Sequence, residues 1–349
     1  MTATALIDVA AFQDNLRLLA RVAHPTPVMA MLKADAYGHG MLALAQPALD
    51  AGATALGVLE ITAALALRDA GVEARLFAWL HGSGADFAAA AARRIDVGIS
   101  TLTELEAALV ALDADTRPLA VHLKIDTGLH RNGASVQEWP VLVARAVDAE
   151  QRGRLRIEGI WSHLADASAE DDAIALAEFR AAVATAEGLG ARPALLHLGA
   201  SSAGIYLPEA RFDIVRFGIA AYGLSPFDDR TSAEIGVRPV MTIVAKVTHA
   251  DGESTRIGIG WGHGLHATAQ GRAEVLVRGR RARLLEIGPD SSRLDVSDVE
   301  IGDEVIVFGD GSRGEPTAAD WAEWAETIGD EIVTRISPRV ERVWRRRGA

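Results

Sequence analysis

Short apolar runs alternate with longer amphipathic stretches through the first two-thirds of the chain. Runs rich in aliphatic and β-branched residues fall at Val28–Leu32, Ala55–Leu59, Ala74–Trp79, Asp96–Ile99, Leu119–Ile125, Ile157–Trp161, Ala194–His197 and Ile214–Phe217, each of strand length. Between most of them lie Ala/Leu-rich stretches with helical spacing, such as Thr101–Leu112, Val136–Glu150 and Asp171–Leu189. Strand and helix in strict alternation predict a parallel sheet. About eight such units predict closure into a (β/α)8 barrel rather than an open sheet.

After Leu224-Ser-Pro-Phe-Asp-Asp229 the texture changes. The pattern becomes strand, turn, strand: Val240–Val247, Arg256–Gly260, Glu274–Arg278, Arg281–Ile287 and Glu304–Phe308, with Gly-containing turns between them. A helix is predicted at Ala318–Thr327 and a final strand near Glu331–Thr334. The expected organisation is an α/β barrel over residues 1–228, followed by a smaller, mainly β domain over residues 229–349.

Composition narrows the class. A chain of 349 residues is long for a single domain, and 49% hydrophobic with 23% charged residues is ordinary for a globular protein. The formal charge of −12 and the lack of basic stretches other than Arg278–Arg283 and Arg345–Arg347 argue against nucleic acid as a partner. With no cysteine there is no disulfide and no thiolate metal site. The N-terminal Met1-Thr-Ala-Thr-Ala-Leu-Ile-Asp8 lacks the basic and apolar regions of a signal peptide, and no apolar run approaches the roughly 20 residues of a membrane span. The expectation is a soluble, cytoplasmic protein without a membrane partner.

Candidate chemistry collects where the barrel strands end. Lys33 follows the first predicted barrel strand and precedes a loop marked by Gly38 and Gly40. At the low-dielectric end of a barrel strand, desolvation would lower the amine's pKa and make it a Schiff-base nucleophile. Tyr37 and the loop amides lie near enough in sequence to hold an anionic group. The plainer reading is a snorkelling lysine before a tight turn. Arg131, in Lys124-Ile-Asp-Thr-Gly-Leu-His-Arg131, offers a fixed fork of donors suited to a carboxylate or phenolate. The alternative there is a loop with a Lys124–Asp126 surface pair. His163, ending Ile157-Glu-Gly-Ile-Trp-Ser-His163, reads on its own as a structural hydrogen-bonder. Ser201 reads as a helix cap that could also bond a phosphate.

Taken together, these strings resemble the alanine racemase family of pyridoxal 5′-phosphate enzymes, and the resemblance runs over nearly the whole chain. Lys33-Ala-Asp-Ala-Tyr-Gly-His-Gly40 is similar to the family's Lys-Ala-Asn-Ala-Tyr-Gly-His-Gly, with Asp35 replacing Asn. It implies that Lys33 carries the cofactor. Lys124-Ile-Asp-Thr-Gly-Leu-His-Arg131 resembles Lys-x-Asp-Thr-Gly-Met-x-Arg, implying that Arg131 touches cofactor and substrate and that Lys124 can be carbamylated. The resemblance places His163 against the pyridine ring, with Leu164 where relatives have Phe. It places Ser201 on the phosphate. Val215-Arg-Phe-Gly-Ile-Ala-Ala-Tyr-Gly-Leu224 resembles the segment that sets Arg216 beside the pyridine nitrogen and the Gly218 and Ile219 amides on the phosphate. A guanidinium does not give up its proton, so the ring nitrogen would stay unprotonated and the cofactor a weaker electron sink. That suits proton exchange at Cα better than elimination or transamination.

The pattern breaks in the second domain. Racemisation needs a base on each face of Cα, and relatives supply the second as a tyrosine from a Ser-Tyr-Gly-x-x-Tyr loop of the partner subunit. Here the only tyrosines are Tyr37, Tyr206 and Tyr222. The sequence passes directly from His249-Ala-Asp-Gly-Glu-Ser254 to Arg256-Ile-Gly-Ile-Gly-Trp-Gly-His-Gly264, as if the loop were deleted. Trp261 stands where relatives have a substrate-pocket tyrosine, and Pro289 where a methionine helps hold the substrate carboxylate. His263 is the one titratable substitute, on a turn equally suited to a plain surface loop. Three functions stay open: an amino-acid racemase acting on alanine, with His263 or a water replacing the tyrosine; a pyridoxal-phosphate enzyme of other outcome, such as a one-base epimerase, decarboxylase or dehydratase; and a non-enzymatic pyridoxal-phosphate-binding or regulatory protein. The resemblance also implies a head-to-tail homodimer.

Overall fold

A computed structural model describes residues 3–113 and 116–346. Met1 and Thr2, which begin the segment read against a signal peptide, lie outside the described residues, as does Arg347 of the basic triplet. The chain forms two compact units, one of residues 16–33 and 48–218, the other of residues 1–15, 34–47 and 219–349.

The first strand, β1 (Ala3–Asp8), buries every second residue, Ala3, Ala5 and Ile7. It belongs to the second of these units and pairs with strands from the far end of the chain. The parallel sheet starts with β2 (Val28–Met31) and continues through β3 (Ala55–Val58), β4 (Arg75–Ala78), β5 (Ile95–Ile99), β6 (Leu119–Lys124), β7 (Leu155–Trp161), β8 (Leu195–His197) and β9 (Val215–Phe217). Their order is β8-β7-β6-β5-β4-β3-β2-β9, every pair parallel. This is the near-closed eight-stranded barrel the alternation predicts, with each strand within two residues of its expected bounds.

Some of the helices between the strands begin where a short polar side chain takes up an orphan N–H group. Thr101 accepts from Glu104 N ahead of Leu102–Ala111, and Ser168 from Asp171 N ahead of Ala169–Gly188. Inside the barrel, Met29, Met31, Ala55, Phe77 and Trp161 form a buried cluster. Glycines on alternate strands make room for their bulk. A Cβ at Gly57 would lie 2.4 Å from the Met31 methyl, and one at Gly98 would lie 2.9 Å from Trp79 Cβ. Strand β7 carries one extra residue: Ile157 pairs with Val121 and Gly159 with His122, leaving Glu158 as a bulge.

The other sheet is mostly antiparallel. It contains β10 (Met241–Ala250), β11 (Thr255–Ile257), β12 (Glu274–Val277), β13 (Arg280–Ile287), β14 (Ser292–Leu294), β15 (Glu304–Phe308) and β16 (Glu341–Arg345). The order β11-β14-β13-β12-β15-β10 closes on itself through a β10–β11 pairing, and β1 and then β16 extend it beyond β10. One expectation is corrected here. Residues 331–334 are not the final strand but part of the helix Gly329–Thr334, and the final strand is β16. Asp330 and Glu331 in the first turn favour a helix N-terminus, and strand geometry resumes only after Pro338. No helix among the described residues is long and apolar enough to cross a membrane.

Candidate active site

Strand periodicity decides which barrel side chains share a face. On β6, His122 and Lys124 are two residues apart, and both are buried. Lys124 Nζ donates to Asn132 Oδ1 and lies 4.5 Å over the Trp161 ring. Burial, reinforced by the Arg216 and Arg131 charges, holds its amine down at about 7. The alternative of a Lys124–Asp126 surface pair gives way to this arrangement, because Asp126 accepts instead from the Gly128 and His130 amides.

Arg216, from the middle of β9, is buried. Its terminal nitrogens donate to Ser162 O and Leu198 O, each at 2.9 Å, to His163 Nδ1 at 3.1 Å and to His197 Nδ1 at 3.0 Å. Burial pushes the guanidinium down to about 9, which leaves it protonated at neutral pH. His163 is held well below the usual imidazole range by burial and then by Arg216, Arg131, Lys124 and Lys33. A neutral His163 accepting on Nδ1 therefore carries its proton on Nε2. Arg131 is exposed and Lys33 half-buried.

Ser201 is the first residue of the helix Ser201–Tyr206 but does not cap it. Ala200 takes the cap position without a side-chain bond. The Ser201 hydroxyl instead accepts from Gly218 N at 3.2 Å, so serine and amide, both assigned to the phosphate from sequence, meet each other.

In the other unit, Ala34, Asp35, Ala36 and Tyr37 all take positive φ between 51° and 56°. Four consecutive non-glycine residues in this region cost about 1–2 kcal/mol each, so the surroundings must impose the turn. Gly38 N bonds to Ala34 O, Gly40 N to Asp35 O, and His39 Nδ1 to the carbonyls of Ala36 and Tyr37. Asp35 Oδ1 accepts from Met41 N at 2.7 Å, at the start of the helix Met41–Asp50, which explains how a carboxylate fits where relatives have Asn. From the C-terminal segment, Arg342 donates to Gly38 O and Trp344 Nε1 to His39 O. Gly40 has φ 96°, and a Cβ there would come within 2.6 Å of the Trp344 ring. Gly38-His39-Gly40 is thus clamped by Arg342 and Trp344. Tyr37 is buried, packs 4.8 Å from Tyr222, and is pushed far above the usual phenol range by burial and by Asp330. Ile219 is buried, in the short helical turn Ile219–Tyr222.

Trp261 is half exposed. His263 is not on a plain surface loop: its side chain is buried and Nδ1 accepts from Gly260 N at 3.2 Å. Its pKa is lowered by burial and then by Arg339. Between β10 and β11, Ala250 pairs with Thr255 and His249 with Arg256. Asp251 Oδ1 accepts from Glu253 N and Ser254 N, closing the four-residue turn tightly.

Sequence reasoning missed His122, His197 and Asp96. They are buried and hydrogen-bonded to one another behind Arg216. The available signal was His122, a lone polar residue inside the apolar run Leu119–Leu123.

The sequence matches the family descriptions "Alanine racemase, N-terminal domain" over residues 7–226 and "Alanine racemase, C-terminal domain" over residues 244–344. A curated alanine racemase of Beutenbergia cavernae is 38% identical, covering 98% of this chain and 97% of its own length. One from Mycolicibacterium smegmatis is 38% identical, covering 98% and 95%. These alignments run over 367 and 378 positions, more than the 349 residues of this chain, so both relatives carry residues this chain lacks. Among solved structures, an alanine racemase from D-cycloserine-producing Streptomyces lavendulae superposes with a TM-score of 0.95 at 37% identity, covering 99% of this chain and 97% of that one. That of Streptomyces coelicolor gives 0.94 at 39%, covering 98% of each.

Proposed function

This chain belongs to the alanine racemase family, and on that premise we propose that it binds pyridoxal 5′-phosphate through Lys33 and acts at Cα of a small amino acid, alanine first, with a base on one face only. The observation that carries this reading is the tightly closed Asp251–Ser254 turn in a chain whose last tyrosine is Tyr222. The donor set fits the cofactor. Lys33, Lys124, Arg131 and Arg216 all depress His163, an excess of positive charge that an anionic, aromatic group would balance.

When bound, pyridoxal 5′-phosphate draws electrons from Cα and makes its hydrogen acidic. Lys33 Nζ takes and returns that proton on one face. Arg216 stays protonated and offers N–H donors to the ring nitrogen, with His163 neutral beside it. Arg131 offers its fork to the substrate carboxylate, and Ser201 and Gly218 serve the phosphate. Lys124, with its amine near 7, is about half neutral at neutral pH. Its neutral Nζ can add to carbon dioxide and lose a proton, leaving a carbamate to hold Arg131. His263 uses Nδ1 on Gly260 N and takes no proton-transfer step. A head-to-tail homodimer, testable by sedimentation, and a cytoplasmic location complete the reading.

Losing one general base typically costs about 10²–10⁴-fold. Purified protein supplied with pyridoxal 5′-phosphate should show a visible absorbance that collapses on borohydride reduction. It should exchange the Cα hydrogen of one enantiomer of alanine for deuterium much faster than it forms the other enantiomer. D-alanine formation within about tenfold of a two-base family member at matched cofactor content refutes the one-base reading. No cofactor absorbance refutes the cofactor assignment.

A further inference from the structure

Behind Arg216 the barrel interior holds a line of polar groups that the proposed chemistry does not use. A guanidinium has donors and no lone pair, so His197 Nδ1, at 3.0 Å, must accept from it. A neutral His197 then carries its proton on Nε2, which lies 2.8 Å from His122 Nδ1. His122 must accept there, so its own proton sits on Nε2 and points to Asp96 Oδ2 at 3.3 Å. Arg75 Nε lies 3.5 Å from that same oxygen, and a second Arg75 nitrogen donates to Glu158, the bulged residue of β7. From Arg216 to Asp96 every hydrogen bond runs one way, and Asp96 receives from both ends.

The surroundings are shaped for it. His122 and His197 have no exposed surface, and Asp96 and Arg216 are buried. Phe77 packs 4.7 Å from the His122 ring and meets His197 edge-on at 5.4 Å, while Trp161 stacks on His197 at 5.5 Å. Gly159 faces His122 so closely that a Cβ there would lie 2.3 Å from Nδ1. Hydrogen bonds in series polarise one another, and a carboxylate end strengthens its bond about twofold over a neutral one.

We infer that Asp96 and His122 are positioning residues that act through His197 to hold Arg216 and to set how strongly it donates. The inference rests on the reading of Arg216 as the residue facing the pyridine nitrogen. Hydrogen bonds to that nitrogen are among the few levers a protein has on this cofactor.

The test uses full-length protein with labelled histidine, free of cofactor and then loaded. NMR of the cofactor-free protein should show both His122 and His197 with the proton on Nε2, at low field. Asp96→Asn keeps the shape and removes the charge. It should move the His122 and His197 N–H signals together and weaken pyridoxal 5′-phosphate retention about threefold to tenfold, the size of one lost charge assistance. His197 protonated on Nδ1 in the unsubstituted protein overturns the inference. So does an Asp96→Asn shift confined to His122 with retention unchanged. The first of these measurements needs no variant, so a poorly folding Asp96→Asn does not shield the idea. Failure of the protein to take up the cofactor, with the histidine signals as stated, upholds the relay and overturns the functional reading instead.

Discussion

Replacing Gly159 with alanine puts the buried relay under direct mechanical test. The new Cβ would sit 2.3 Å from His122 Nδ1 and 2.9 Å from Cγ and Cε1, far inside normal contact. His122 has no exposed surface and is packed against Phe77, so it cannot yield by a simple rotation. Overpacking of this kind costs about 1–3 kcal/mol. Pushing His122 away from His197 also strands a buried N–H, a further ~1–3 kcal/mol. Against this stands a gain of about 0.4–1 kcal/mol from the reduced chain entropy of alanine, so the net effect is a clear loss. Urea unfolding of Gly159→Ala, His122→Ala and the double variant measures it. In the His122→Ala background the methyl group meets space instead of a ring, and Gly159→Ala should become neutral or stabilising. A single variant as stable as the parent, or an equal cost in both backgrounds, would refute the contact argument.

Three further outcomes are expected. Lys33→Ala should abolish the borohydride-sensitive visible absorbance of the bound cofactor while leaving far-ultraviolet circular dichroism unchanged; retained absorbance would move the cofactor assignment to another lysine. Lys124, whose amine is held at about 7 when folded and about 10.4 when unfolded, binds fewer protons in the native state between those values. Stability should therefore rise with pH across that window, Lys124→Met should flatten the slope, and an unchanged urea midpoint-versus-pH profile would contradict the assignment. Asp35→Ala should cost about 0.5–2 kcal/mol through loss of the bond to Met41 N, whereas Asp35→Asn should be close to neutral by the same unfolding assay.

The sequence by itself determined the parallel barrel, since all eight strand candidates from Val28–Leu32 to Ile214–Phe217 recur in the sheet within two residues of their expected ends. Hydrophobic period and strand length are local properties, and closure follows from their repetition. It also supplied the family motifs, because they are contiguous strings. Tertiary structure alone decided what depends on partners distant in the chain. The strand membership of Ala3–Asp8 was set by β10 and β16, more than 230 residues away. The Ile332-Val333 pair looked β-branched enough for a strand, yet it buries in a helix. Ser201 left its expected capping role for Gly218 N, and Gly38-His39-Gly40 proved to be clamped by Arg342 and Trp344. Asp96, His122, His197 and Arg216 come from four strands and form one directed line only because the barrel brings those strands to a common interior. No spacing in the chain encodes that meeting; the hydrogen-bond demand of a buried guanidinium does.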